Sequence, residues 1–182
     1  MIVEKLSNKY EKETNSVLYL GEDTGQDVVA FSPRALGCTI QTQRRGKGMK
    51  RAGILNSDIS RVLSYLGHTD QICIGDCGLP IPDETERIDL ALAFGEPTFM
   101  RTLELVAADM KIEKIILAEE IKEKNPEMLQ KISEYFAEQS VEVEFVSHAD
   151  LKDKTHECKA VIRTGETTPY ANIILQSGCI FA

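Results

Sequence analysis

The chain is 182 residues long, 42% hydrophobic and 27% charged, close to the average of globular domains. That excludes wholesale disorder and supplies enough apolar mass for one core. No run approaches the roughly 18 consecutive apolar residues of a membrane span, and the opening MIVEKLSNKYEKETNS lacks the apolar stretch of a secretory signal. The expected location is therefore the cytoplasm, with no membrane partner.

Net charge is −8, which disfavours a nucleic-acid partner, since such proteins usually need a basic face. The charge is unevenly placed. Residues 1–48 carry seven Lys/Arg and six Asp/Glu, net +1, and the remainder carries 14 and 23, net −9. Five cysteines (Cys38, Cys73, Cys77, Cys158, Cys179) without an export signal read as reduced thiols. Cys73 and Cys77 are spaced C-x3-C, but no second Cys or His pair completes a zinc set, so no metal is expected.

Residues 1–48 show little pattern: a short polar helix-like opening, an apolar hexad at 27–32, and a stretch ending in QTQRRGKG. A basic, glycine-punctuated stretch of this kind is usually a solvated linker. RRGKG lacks the spacing of a P-loop and has no strand before it.

From Met49 the pattern sharpens. Asn56, Ser57 and Asp58 supply capping side chains, and Ile59, Val62, Leu63 and Leu66 follow at helical spacing, with Gly67 as the expected C-cap. His68 then lies just outside the helix end. Gln71–Gly75 is a short apolar strand that runs into Asp76 and a Gly-Leu-Pro-Ile-Pro loop. A strand is expected at Ile88–Ala93, and Pro97 opens a helix with Phe99, Leu103, Val106, Ala107 and Met110 inward. Lys114–Ala118 is a buried-type strand. Asn125-Pro126 starts another helix by cap and first-turn proline, facing Leu129, Ile132 and Phe136 to the core. Val141, Val143 and Phe145 alternate with glutamates in a half-exposed strand leading to His148. A short helix at 149–156 precedes strands at Ala160–Arg163 and Ala171–Leu175. Strands alternating with helices predict a single layered α/β domain with a partly parallel sheet.

Polar groups gather at element ends, where α/β sheets bind ligands. His68 follows a helix, Asp76 and His148 follow strands, and Tyr170, Ala171 and Asn172 open the last strand. Histidine gives or takes a proton near neutrality, and a carboxylate can orient or polarise. Tyr170 and Asn172 add donors and acceptors suited to sugar hydroxyls. No glycine-rich phosphate cradle, dinucleotide fingerprint or nucleophile elbow is present, so cofactor-free proton transfer is the chemistry suggested. Each residue also has a plainer use. His68 can partner a helix dipole, Asp76 can form a turn, and Tyr170 and Asn172 can pack or bond nearby backbone. His156, in the charged run KDKTHECK, reads as solvated surface, and the Glu119-Glu120 pair as a solvated turn. Spacing alone goes no further than a small-molecule enzyme or binding domain.

The segments GILNSDISRVLSYLGHTDQICIGDCGLPIP (53–82), RIDLALAFGEPTF (87–99), ILAEEIKEKNP (116–126) and VIRTGETTPYANIILQSG (161–178) resemble, in this order, the D-ribose pyranases, and more distantly the L-fucose mutarotases. The resemblance covers 49–182. It implies interconversion of the pyranose and furanose forms of D-ribose, with His68 as the acid/base and Asp76, His148, Tyr170, Ala171 and Asn172 binding the sugar. It implies a three-layer α/β sandwich fold, no cofactor, a functional link to ribokinase, and a homodecamer of two pentameric rings with sites near subunit contacts. A fucose mutarotase and a sugar-binding protein without turnover are the alternatives. Residues 1–48 have no counterpart in the resemblance and are expected to be a disordered extension or upstream sequence translated through a misassigned start.

Overall fold

The computed structural model describes Leu18–Leu20, Val28–Phe31, Gln41–Gln43, and residues 50 and 52–181. The chain divides into two units, Met1–Arg51 and Ala52–Ala182. In the first, β1 (Leu18–Leu20), β2 (Val28–Phe31) and β3 (Gln41–Gln43) pair antiparallel in the order β1-β2-β3. The strand β2 falls within the apolar hexad, where β-branched and aromatic residues favour extended backbone. The strand β3 directly precedes RRGKG, where none is expected, and the remainder of the expected disordered extension lies outside the described residues.

The second unit is a six-stranded sheet in the order β5-β8-β4-β9-β6-β7. Its strands are β4 (Gln71–Gly75), β5 (Glu86–Asp89), β6 (Ile112–Ala118), β7 (Glu142–Val146), β8 (Ala160–Arg163) and β9 (Ile173–Ser177). Pairs β5·β8, β8·β4 and β6·β7 are parallel, and β9 runs antiparallel between β4 and β6.

Strand alternation sorts the buried side chains onto two faces. Ile72, Ile74, Ile115, Leu117, Ile162, Ile173 and Leu175 pack against α1 (Ser57–Tyr65), α2 (Phe99–Ala108) and α4 (Pro126–Phe136). Cys73, Ile116, Val161 and Ile174 face Leu151 of α5 (His148–Lys154). A one-turn helix α3 (Ile121–Lys124) precedes α4. The result is the layered α/β domain that the pattern predicts, in the three-layer form that the resemblance implies, with each fully buried Ile or Leu contributing about 2 kcal/mol. Among the described residues no helix is long and apolar enough to cross a membrane.

Several boundaries differ from the sequence-based expectation. The first helix does not close on Gly67 in the left-handed region. Its C-cap Leu66 is extended, the Gly67 N–H is taken by Asp70 Oδ2 at 2.8 Å, and the left-handed residue is Thr69 (φ 69°). The asparagine-like reach of Asp70 back to the helix end removes the need for a glycine turn. The helix after Pro97 starts at Phe99, because the Thr98 side chain accepts from the Arg101 N–H and caps it. The strand expected at Ile88–Ala93 ends at Asp89, whose Oδ1 accepts from the Ala91 N–H and turns the chain. The last strand begins at Ile173 rather than Ala171, because Tyr170 adopts φ 58° and Asn172 turns its side chain toward β4.

The C-x3-C cysteines separate. Cys73 and Cys158 are buried on the α5 face, Cys77 is half-buried in the loop after β4, and Cys179 is exposed. Burial pushes the Cys158 thiol up to about 12 and that of Cys73 well above its usual value, so both pack as neutral hydrophobes.

Candidate active site

The antiparallel pairing of β4 with β9 sets Ile74 opposite Ile173, which brings the carboxyl end of one strand to the start of the other. There the Asp76 N–H donates to Asn172 Oδ1 at 2.9 Å, and Asn172 Nδ2 donates to Asp76 Oδ2 at 3.0 Å. The Gly78 N–H donates to the second carboxylate oxygen of Asp76 at 2.9 Å. Asp76 is thus a turn former and a member of a polar cluster at once. Asn172 and Ala171 are buried, at 1% and 0% exposure. Gly75 allows this approach, since a Cβ there would meet Leu79 Cδ2 at 2.6 Å and Asn172 Oδ1 at 3.1 Å.

His148 opens α5, capped by the Ser147 hydroxyl. Its ring meets that of Tyr170 edge-on, with centroids 5.0 Å apart at 82°. Its Nδ1 is buried and has no hydrogen-bond partner among the described residues. The His148 N–H donates to both oxygens of Glu120, at 2.9 and 3.1 Å. Glu120 thus lies in a turn, as expected, but it is half-buried and its carboxylate is tied to the start of α5 rather than left to solvent. Its own backbone N–H and that of His148 hold its carboxyl below the usual glutamate range, and it fixes where α5 begins. Glu119, by contrast, is exposed and pairs with Lys122. His156 is also exposed and pairs with Glu84.

Tyr170 is held in a left-handed conformation that costs on the order of 1 kcal/mol for a side chain, and two anchors sustain it. Asn125 caps α4 through Oδ1, and its Nδ2 donates to Thr168 Oγ1 at 3.1 Å and to the Pro169 carbonyl at 2.9 Å. Glu166, 8% exposed, accepts from the N–H groups of Thr167 and Thr168 at 3.0 and 3.1 Å and of Phe99 at 3.4 Å. The Glu166 carbonyl accepts from the Cys77 N–H at 2.9 Å. Glu166 thereby joins the Tyr170 loop, the start of α2 and the loop carrying Asp76. Neither Glu166 nor Glu120 is apparent as a site residue from sequence; the one available signal is a carboxylate within a run of small loop residues (TGETTP).

His68 stands apart. It lies before β4, and the neighbouring Thr69 N–H donates to the Ser177 carbonyl at the end of β9. The five residues of β4 separate it from Asp76 by roughly 16 Å. Its Nε2 lies 2.9 Å from Glu113 Oε2, and its side chain is 53% exposed. A groove of about 360 Å³ beside it is lined by Leu63, Leu66, Met110, Ile180 and Phe181, among others. Within one chain, then, Asp76, His148, Tyr170, Ala171 and Asn172 gather at one end of the sheet, and His68 occupies the other.

An α/β/α domain with polar donors and acceptors gathered at strand ends is the architecture of α/β domains that bind small molecules. Residues 49–180 match the RbsD / FucU transport protein family. A D-ribose pyranase of Clostridium botulinum (strain Eklund 17B / Type B) is 53% identical over 133 residues, 73% of this chain and 100% of the relative. One from Lactococcus lactis subsp. cremoris (strain MG1363) is 56% identical over 130 residues, 71% of this chain and 98% of the relative. The structure of Bacillus subtilis RbsD complexed with D-ribose superimposes with a TM-score of 0.70 at 50% identity, covering 73% of this chain and 100% of that one. The fucose mutarotase of Streptococcus pneumoniae in complex with L-fucose shares the fold, with a TM-score of 0.62 at 19% identity over 70% of this chain and 95% of that one. The chain belongs to the RbsD / FucU family.

Proposed function

We propose that this protein is a D-ribose pyranase, an isomerase that interconverts the pyranose and furanose forms of D-ribose. The observation that carries this is 50% identity, over 73% of this chain and the whole of the other, to a protein whose structure holds D-ribose. The cluster of Asp76, Asn172, Tyr170 and His148 suits a polyhydroxylated ligand.

The chemistry is an internal exchange of protons. In ring opening the C1–O5 bond breaks, O5 takes a proton, and the anomeric hydroxyl loses one as C1 becomes a carbonyl. In reclosure O4 attacks C1, the O4 hydroxyl gives up its proton, and the carbonyl oxygen gains one. No net proton, electron or co-reactant is consumed. His68 carries the proton, Asp76 holds a hydroxyl, and His148, Tyr170, Ala171 and Asn172 form the sugar-binding wall. Positioned acid/base assistance supplies roughly 10²–10⁴-fold.

His68 and the binding cluster sit a strand length apart, so a complete site requires two copies, His68 from one and the cluster from another. A closed homo-oligomer supplies such contacts, and the decamer of two pentameric rings is the assembly we assign. Leu92 and Phe94, 84% and 90% exposed, and Ile180 and Phe181, 81% and 83% exposed, are apolar surface that a neighbouring copy would cover. The setting is the cytoplasm, where the product would feed ribokinase.

Saturation-transfer NMR on D-ribose tests the function. Added protein should accelerate exchange between ring forms. Acceleration on L-fucose but not ribose would favour a fucose mutarotase instead, and binding without acceleration would favour an accessory protein.

A further inference from the structure

We infer that Glu113 is a positioning residue for the proton carrier: it fixes the His68 tautomer with the proton on Nε2 and leaves Nδ1 free to serve the sugar. This rests on the ribose pyranase function proposed above.

Four independent features converge on the Glu113 side chain. The first is a bulge in β6: Ile112 pairs with Ser177 and Lys114 with Gln176, so Glu113 is the extra residue. A bulge re-aims a side chain out of the strict alternation, and Glu113 escapes the buried face on which Ile112 and Ile115 lie. The second is room. A Cβ on Gly178 would meet Glu113 Cβ at 2.9 Å and Oε2 at 3.2 Å, so the carboxylate occupies space that only glycine leaves.

The third is a directional chain of amides. Gln71 Nε2 donates to Gln176 Oε1 at 2.9 Å, and Gln176 Nε2 donates to Glu113 Oε1 at 2.8 Å. Gln71 keeps this orientation although its own Oε1 is buried without a partner among the described residues. The fourth is His68 itself, whose Nε2 lies 2.9 Å from the remaining oxygen, Oε2. Gln176 and His68 hold the Glu113 carboxyl below the usual glutamate range. An ionised carboxylate only accepts hydrogen bonds, so the proton between the two groups belongs to Nε2. Fixing an imidazole's tautomer through its second nitrogen is how carboxylates support histidine acid/base chemistry elsewhere.

The same chain gives Glu113→Gln a distinctive outcome. With Gln71 and Gln176 oriented as they are, the new carboxamide oxygen keeps the Gln176 donor, which turns its NH₂ toward His68. Nε2 must then accept, and the ring proton moves to Nδ1. The protein has three histidines, so the tautomer can be read by long-range ¹H–¹⁵N correlation on the intact, histidine-labelled chain. Wild type should show neutral His68 protonated on Nε2. Glu113→Gln should show it on Nδ1, with ribose exchange reduced by on the order of 10²-fold. Adding Gln176→Leu frees the carboxamide to turn its oxygen to His68, and should return the proton to Nε2. A Glu113→Gln protein that keeps Nε2–H, or that keeps the wild-type exchange rate, overturns the inference. A wild-type protein that does not accelerate ribose exchange overturns the proposed function instead, while the tautomer measurement still tests Glu113.

Discussion

Asp76 and Asn172 exchange two hydrogen bonds across the β4–β9 pair, backbone N–H to Oδ1 at 2.9 Å and Nδ2 to carboxylate at 3.0 Å. The buried amide both holds the loop after β4 and orients the carboxylate proposed to take a sugar hydroxyl. Asn172→Ala should leave the Asp76 N–H unpaired and destabilise the fold by about 1–3 kcal/mol. Asn172→Asp should weaken ribose binding more than it weakens folding, because two carboxylates then face each other. Urea unfolding and ribose titration of both variants separate the two effects.

Glu166 predicts a pH dependence. Burial alone raises its carboxyl, but the N–H groups of Thr168, Phe99 and Thr167 outweigh burial and leave it below the usual value of 4.5. A depressed carboxyl contributes stability that is fully present above the unfolded value and is lost as pH falls through the folded one. Stability should therefore decline as pH drops below 4.5, and Glu166→Gln should lose part of that decline while being less stable at neutral pH. Removing the acceptor altogether in Glu166→Ala should cost about 2 kcal/mol. Denaturant titrations at a series of pH values test both slopes.

Asn125 serves two elements with one side chain, and its removal should show in both. Asn125→Ala should lower stability by about 1 kcal/mol through the lost cap. It should also loosen the Thr168–Pro169 segment that holds Tyr170 at φ 58°. Asn125→Ser retains a capping oxygen but cannot donate to the Pro169 carbonyl in the same way. It should recover stability without recovering ribose affinity, as unfolding and binding measurements on the two variants would show.

Much of this fold is legible in the sequence. The strands Gln71–Gly75 and Ala160–Arg163 and the caps Asn56 and Asn125 lie where the pattern places them, because apolar runs and capping side chains act locally. The antiparallel course of β9 is not legible, since strand direction depends on the whole sheet. Asp76, His148, Tyr170, Ala171 and Asn172 do meet, as element ends predict. The separation of His68 from them is a property of sheet topology, invisible to spacing. Glu120 and Glu166 escape sequence reasoning because their partners are backbone N–H groups, at His148 for Glu120 and at Phe99, Thr167 and Thr168 for Glu166, which no residue pattern marks.

The proposed two-copy site makes a complementation prediction. His68→Ala and Asp76→Ala should each be inactive alone. Co-assembled from equal amounts, the variants should regain about a quarter of the wild-type sites, by random pairing across interfaces. Failure of the mixture to exceed either variant, despite demonstrated mixed assembly, would place both residues in a site made by one chain.

His68 is proposed to carry the proton that opens and recloses the sugar ring. The most direct test is the rate of D-ribose ring-form exchange, by saturation-transfer NMR, with wild type and His68→Ala compared at equal concentration and matched circular dichroism. Wild type should accelerate the exchange strongly, and His68→Ala should leave only the uncatalysed rate. A folded His68→Ala protein that exchanges ribose at the wild-type rate would contradict that role.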